Sequence, residues 1–123
     1  MHRVTLASLL ALATMVFLAS AQASMGRSTL IGTVGPGFNI TLKQGTKLVK
    51  TLKAGRYTFV ITDKASIHNF TLTQTKGGHF SRMLTGTAFT GKKTVTVTLR
   101  KGSWKAFCSV HPTAVVRLFT VTS

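Results

Sequence analysis

Cys108 is the only cysteine in the 123-residue chain, and His111 follows it three positions later. A lone thiol has no disulfide partner within the chain, so it is either buried and inert or engaged in chemistry. The spacing lets a thiolate and an imidazole converge from one tight turn. Pro112 stiffens the loop beyond that turn, because it fixes its own φ and confines His111 to extended backbone. A second imidazole, His68, lies upstream at the start of another alternating stretch, HNFTLT. In a sandwich of strands, the start of one strand and the end of another can share a pole. One thiolate and two imidazoles are the trigonal donor set of copper electron-transfer sites.

Other chemistries find little support. Asp63 is the only acidic residue, so no carboxylate pair exists for glycosidase-type or aspartic acid/base work. A Cys108–His111 hydrolase would lack an orienting acid and an evident oxyanion hole. His79 follows Gly77-Gly78 in an irregular stretch with no partner at ligand spacing, which reads as a solvated histidine. Trp104 and Phe107 lead up to Cys108 and read as core packing, and Met83 reads as a core filler.

The elements that must position the three donors are strands. From Phe38 onward the chain alternates every second residue and is rich in Thr, Val, Ile and Phe. The clearest segments are FNITLK (38–43), TKLVKTL (46–52), RYTFVIT (56–62), HNFTLT (68–73), TVTVTLR (94–100), SWKAFC (103–108) and RLFTVT (117–122). Val95, Val97 and Leu99 share one face of their strand, and Tyr57, Phe59 and Ile61 one face of theirs. One face is built to be buried and the other to be wet, which is antiparallel logic. Residues 75–91 are the least regular, and a loop, a short helix and an irregular strand all fit them.

Residues 1–23 read as a signal peptide: His2 and Arg3, an apolar run from Leu6 to Ala19, then Ala21-Gln22-Ala23 as a small-x-small cleavage pattern. The run is short for a membrane span, so no transmembrane segment is expected after cleavage. Residues 24–123 suffice for one domain with one core. Without Arg3, fifteen Lys and Arg stand against Asp63, a net charge of +14. Such a field attracts acidic proteins, polyanions or an anionic envelope surface. The bases form no run of five, so no specific nucleic-acid-binding tail is indicated.

The stretches TLKAGRYTFVITDKASIHNFTLT (51–73), GKKTVTVTLRKGSWKAFCSVHP (91–112) and LFTVT (118–122) resemble the cupredoxins, the small secreted plastocyanin-like copper proteins. The resemblance covers most of residues 24–123. It implies an all-β antiparallel Greek-key sandwich or barrel of about seven to eight strands. It also implies one type 1 copper ion, cycling between Cu(I) and Cu(II), held by His68, Cys108 and His111. Asn69 matches the family's asparagine that bridges the ligand loops and places its backbone N–H near the sulfur, or else it is a polar residue at a strand edge. The axial methionine is missing: positions 114–116 are Ala, Val and Val, Met25 and Met83 lie outside the ligand loop, and Arg117 stands where a glycine is usual.

The implied function is periplasmic or extracellular one-electron transfer by a protein that is not an enzyme. Pro112, Ala114 and Val115 would line an apolar docking patch around His111, and the positive field predicts an acidic redox partner. Two alternatives remain open: a copper carrier or storage protein, and a copper-free sandwich that binds anionic partners. The sequons at Asn39 and Asn69 lie in strand-like stretches and are discounted as glycosylation sites.

Overall fold

The computed structural model describes residues 28–123. The signal-peptide expectation, residues 1–23, lies outside the described residues. Ten strands run in order: β1 (Thr29–Val34), β2 (Ile40–Gln44), β3 (Lys47–Leu48), β4 (Thr51–Lys53), β5 (Gly55–Asp63), β6 (Phe70–Lys76), β7 (Ser81–Thr85), β8 (Gly91–Leu99), β9 (Gly102–Phe107) and β10 (Val116–Thr122). They form two five-stranded sheets, ordered β3-β2-β1-β5-β8 and β4-β10-β9-β6-β7. The all-β sandwich is therefore as the alternation implied. Among the described residues no helix is long and apolar enough to cross a membrane.

Four features differ from the sequence expectation. β1 lies before Phe38, where the alternating segments begin. TKLVKTL is not one strand: β3 pairs with β2 in one sheet, while β4 pairs with β10 in the other. The chain changes sheets at Val49-Lys50, a switch that alternation alone does not reveal. Two pairings, β1 with β5 and β4 with β10, are parallel rather than antiparallel. That results from the crossing, since β5 returns to the first sheet only after β4 has visited the second. Finally, β7 is an irregular strand inside 75–91, paired to β6 across a register shift beside Phe70.

Alternation places the core as expected. Phe59, Ile61, Leu99, Trp104 and Val121 are all but fully buried between the sheets, and Val95, Val97 and Tyr57 are buried with them. Each large apolar side chain withdrawn from water contributes about 1.5–3 kcal/mol. Trp104 is in the core as anticipated, and its indole N–H donates to the Arg100 carbonyl. Gly32 makes room for Phe70: a Cβ there would lie 2.8 Å from the Phe70 ring. That close approach seats the residue next to Asn69 at the end of the sandwich where β5 and β9 finish and β6 begins.

Candidate metal centre

Cys108 leaves the end of β9 and is fully buried. Its loop closes tightly on itself: Cys108 N–H donates to the Val115 carbonyl (2.9 Å), His111 N–H to the Cys108 carbonyl (3.1 Å) and Val115 N–H to the His111 carbonyl (3.0 Å). These bonds fix the turn that brings the thiol and the imidazole of His111 to the same place. His68 lies in the link between β5 and β6 and is also fully buried.

The three side chains that the sequence singles out come together. His68 Nδ1 lies 3.1 Å from His111 Nδ1, and Cys108 Sγ lies 3.8 Å from His111 Nδ1. One donor atom from each residue falls within 4.8 Å of the others. A metal about 2.0–2.1 Å from each nitrogen and about 2.3 Å from sulfur would separate trigonal donors by roughly 3.5–3.8 Å. Against these spacings the nitrogen pair is a few tenths of an ångström too close, the Cys108–His111 pair already matches, and the widest separation in the cluster would close by up to about 1 Å around an ion. Two imidazole lone pairs aimed at each other across 3.1 Å repel unless a proton or a cation lies between them. The donor set thus fits a soft, low-coordinate metal ion such as copper.

Asn69 braces the site. Its backbone N–H donates to Cys108 Sγ at 3.4 Å. Its side chain uses all four of its hydrogen-bonding positions: Nδ2 donates to Thr87 Oγ1 (3.0 Å) and Ser109 Oγ (2.8 Å), while Oδ1 accepts from Ser109 N (3.0 Å) and Thr71 Oγ1 (2.8 Å). The bridging role holds, and the amide, fully buried, is no strand-edge polar group.

Asp63 reads from sequence only as a solitary acid, and the structure gives it a structural task. Oδ1 accepts from Ala65 N (3.2 Å), and Oδ2 accepts from Thr85 Oγ1 (2.9 Å), which itself accepts from Phe70 N (3.0 Å). One carboxylate therefore ties down both ends of the segment carrying His68. Burial pushes its pKa up from the ordinary value, and the hydrogen bonds and the nearby His68 offset only part of that shift.

Phe38 is the member that sequence reasoning missed. It sits between β1 and β2, remains 60% exposed, and stands edge-on to both imidazoles at centroid distances of 5.2 Å (His68) and 4.8 Å (His111). No spacing signal links it to the ligands, because a connection in another part of the chain delivers it. Ile67 and Val110, each next to a histidine in sequence, are also exposed. Val115 is fully buried, so it does not line the surface around His111, whereas Pro112 and Ala114 are exposed. Met83 is half-exposed on β7, opposite Thr71, rather than filling the core. His79 is exposed. No methionine accompanies the cluster in the loop from Cys108 to Val115.

No protein-family model matches the sequence, and no curated protein matches it. Solved structures do share the fold. The copper protein rusticyanin superposes with a TM-score of 0.51 at 18% identity, covering 85% of this chain and 94% of that one. A methionine-to-leucine variant of rusticyanin gives 0.51 at 19% identity, over 85% and 93%. An oxidized variant of amicyanin gives 0.48 at 12% identity, over 76% and 81%. The chain has the cupredoxin fold seen in rusticyanin, and its His68, Cys108 and His111 cluster fits a type 1 copper site.

Proposed function

We propose that this chain is an exported copper protein that carries single electrons, with His68, Cys108 and His111 as ligands. The observation that carries the reading is the convergence of two imidazole nitrogens and a buried thiol on one point, with the Asn69 N–H on the sulfur. A bound copper ion would supply the one-electron couple, taking an electron from one partner protein and passing it to another. The residues supply rigidity. The loop bonds of Cys108, the Asn69 bridge and the Asp63 clamp hold the donors in place, so little rearrangement accompanies a change of charge. With no thioether in the ligand loop, the softer Cu(I) is favoured and the potential is high. Fully buried Val115 helps keep water away, which acts in the same direction.

His111 is half-buried with the exposed Phe38 edge-on to it, and a redox partner would dock there, with Ile67 and Val110, exposed and next to the histidines in sequence, as further apolar contacts. The excess of Lys and Arg favours an acidic partner and salt-sensitive encounter. Export rests on the N-terminal pattern, with residues 1–23 removed and 24–123 acting as a periplasmic or extracellular domain. Full burial of the Cys108 sulfur favours an electron carrier over a copper carrier, which needs a thiolate that a recipient can reach. Voltammetry of the copper-loaded protein tests the reading: a reversible one-electron wave is expected, lost in Cys108→Ser and in His68→Ala. Stoichiometric copper without a wave would favour a carrier, and absence of copper would leave a charged sandwich.

A further inference from the structure

Phe38 stands in the connection between β1 and β2, and both ends of that connection are tied to the segments that carry the histidines. Gly35 N–H donates to the Asn39 carbonyl (3.0 Å), which closes the span around Phe38. On the entry side Lys64 N–H donates to the Val34 carbonyl (2.9 Å), and a Cβ on Gly35 would lie 2.9 Å from that of Ala65. Lys64 and Ala65 lead on to His68. On the exit side Arg117 Nε donates to the Ile40 carbonyl at 2.9 Å. Arg117 follows Val115 by two residues, and Val115 closes the loop of Cys108 and His111.

The Arg117 contact joins the two sheets. Its position on β10 pairs with the buried Ala106 and shares the inward face with the buried Phe119 and Val121. At the end of the sandwich, a long side chain on that face can cross from β10 to β2, and the guanidinium does so. A glycine, usual at this place in the proteins that the sequence resembles, would supply no such donor. The only acidic side chain, Asp63, is engaged by Ala65 and Thr85, and Arg117 bonds a backbone carbonyl instead.

His68 depends on the cover that Phe38 provides. Its ring is fully buried with Nδ1 turned to His111, and Nε2 has no hydrogen-bond partner among the described residues. The second nitrogen of a metal-binding imidazole is ordinarily held by an acceptor that sets the angle of the ring. Here packing must set it, and Phe38 stands edge-on to both imidazoles, with 76° between its plane and that of His68 and 80° for His111.

We infer that Arg117 is a positioning residue: through the Ile40 carbonyl it holds Phe38 against His68 and His111, which fixes the angles of the imidazoles and covers the metal position. The inference rests on the reading of both histidines as copper ligands, but its first test needs no metal. NMR of the metal-free protein reads the ring protons of His68 and His111 in the parent, Phe38→Ala, Arg117→Met and Arg56→Met. Phe38→Ala defines the uncovered site. Arg117→Met removes the donor and keeps an apolar stem, whereas Arg56→Met loses the same charge at the other end of β5, opposite Thr98.

In Arg117→Met both sets of ring protons are expected to move toward their Phe38→Ala positions, and in Arg56→Met to stay in place. Parent-like positions in Arg117→Met would overturn the inference, as would equal movement in both variants, which would assign the effect to net charge. With copper bound, transfer to a chelator should be roughly two- to tenfold faster in Arg117→Met, the range of one hydrogen bond. The same substitution made in Phe38→Ala should add nothing. Equal acceleration in both backgrounds would show that Arg117 acts without Phe38. A protein that takes up no copper would remove the copper reading, and the ring protons would still decide the positioning. Circular dichroism of each variant verifies that the fold is kept.

Discussion

Replacing Asn69 with alanine strikes the joint that connects the ligand loop to the rest of the sandwich. Four side-chain hydrogen bonds disappear, to Thr87, Thr71 and twice to Ser109. At about 0.5–1.5 kcal/mol each, the upper bound is near 6 kcal/mol. The three hydroxyls can turn toward other partners, whereas the Ser109 N–H keeps an acceptor only where water reaches this exposed residue. A loss of about 2–4 kcal/mol is therefore expected, or a fall in Tm of roughly 10–25 °C for a domain of this size. Guanidinium unfolding of metal-free protein measures it directly. The backbone N–H on Cys108 Sγ survives the substitution, so the variant still accepts copper, more weakly and with a broadened thiolate-to-copper band. A loss below about 1 kcal/mol would refute the reasoning, because it would mean that the four bonds do not hold the loop.

Other expectations concern the pieces around this joint. The raised pKa of Asp63 means that, above its ordinary value of 3.8 and up to its higher folded value, the folded chain holds a proton that the unfolded chain lacks. Its contribution is thus full below pH 3.8 and declines as pH rises through the folded pKa. The stability difference between the metal-free parent and Asp63→Asn should shrink across that window, and a difference that grows instead would contradict the burial argument. Phe38→Ala removes two edge-on ring contacts worth about 0.5–1.5 kcal/mol each in well-packed pairs, less at an exposed position. Stability should therefore change little, while copper passes to a chelator several-fold faster; an unchanged rate would deny the ring a covering role. Gly77 has a φ of +89°, and an added Cβ would press on the Lys101 carbonyl. Gly77→Ala should accordingly cost about 1–2 kcal/mol or more, read by chemical denaturation, and an unaffected midpoint would show that the turn can rearrange.

The parts legible in sequence were those governed by local pattern. Alternation in 56–62 and 94–100 gave the buried faces of β5 and β8 residue by residue, since a strand's side-chain period is fixed by its geometry. The donors His68, Cys108 and His111 stood out because their types are rare in this chain and their chemistry is narrow. What escaped was long-range. β1 (TLIGTV) alternates weakly because Gly32 replaces a side chain to admit Phe70, a contact between distant segments. The division of 46–52 between two sheets depends on partners in β2 and β10 rather than on its own residues. Phe38 reaches the histidines through the connection after β1, and Asp63 reaches Phe70 through Thr85, so neither leaves a spacing signature. Val115 reads as one apolar residue among several until the loop bonds to Cys108 and His111 show that it turns inward.

The central claim is that Cys108, His68 and His111 together bind copper in one site. Its most direct measurement is the visible absorption spectrum of the protein loaded with Cu(II) in the presence of a mild oxidant, with bound Cu(I) counted in parallel, repeated on Cys108→Ser. An intense thiolate-to-copper band in the parent, absent in the variant, is the predicted result. A parent that is both colourless and copper-free would contradict the account.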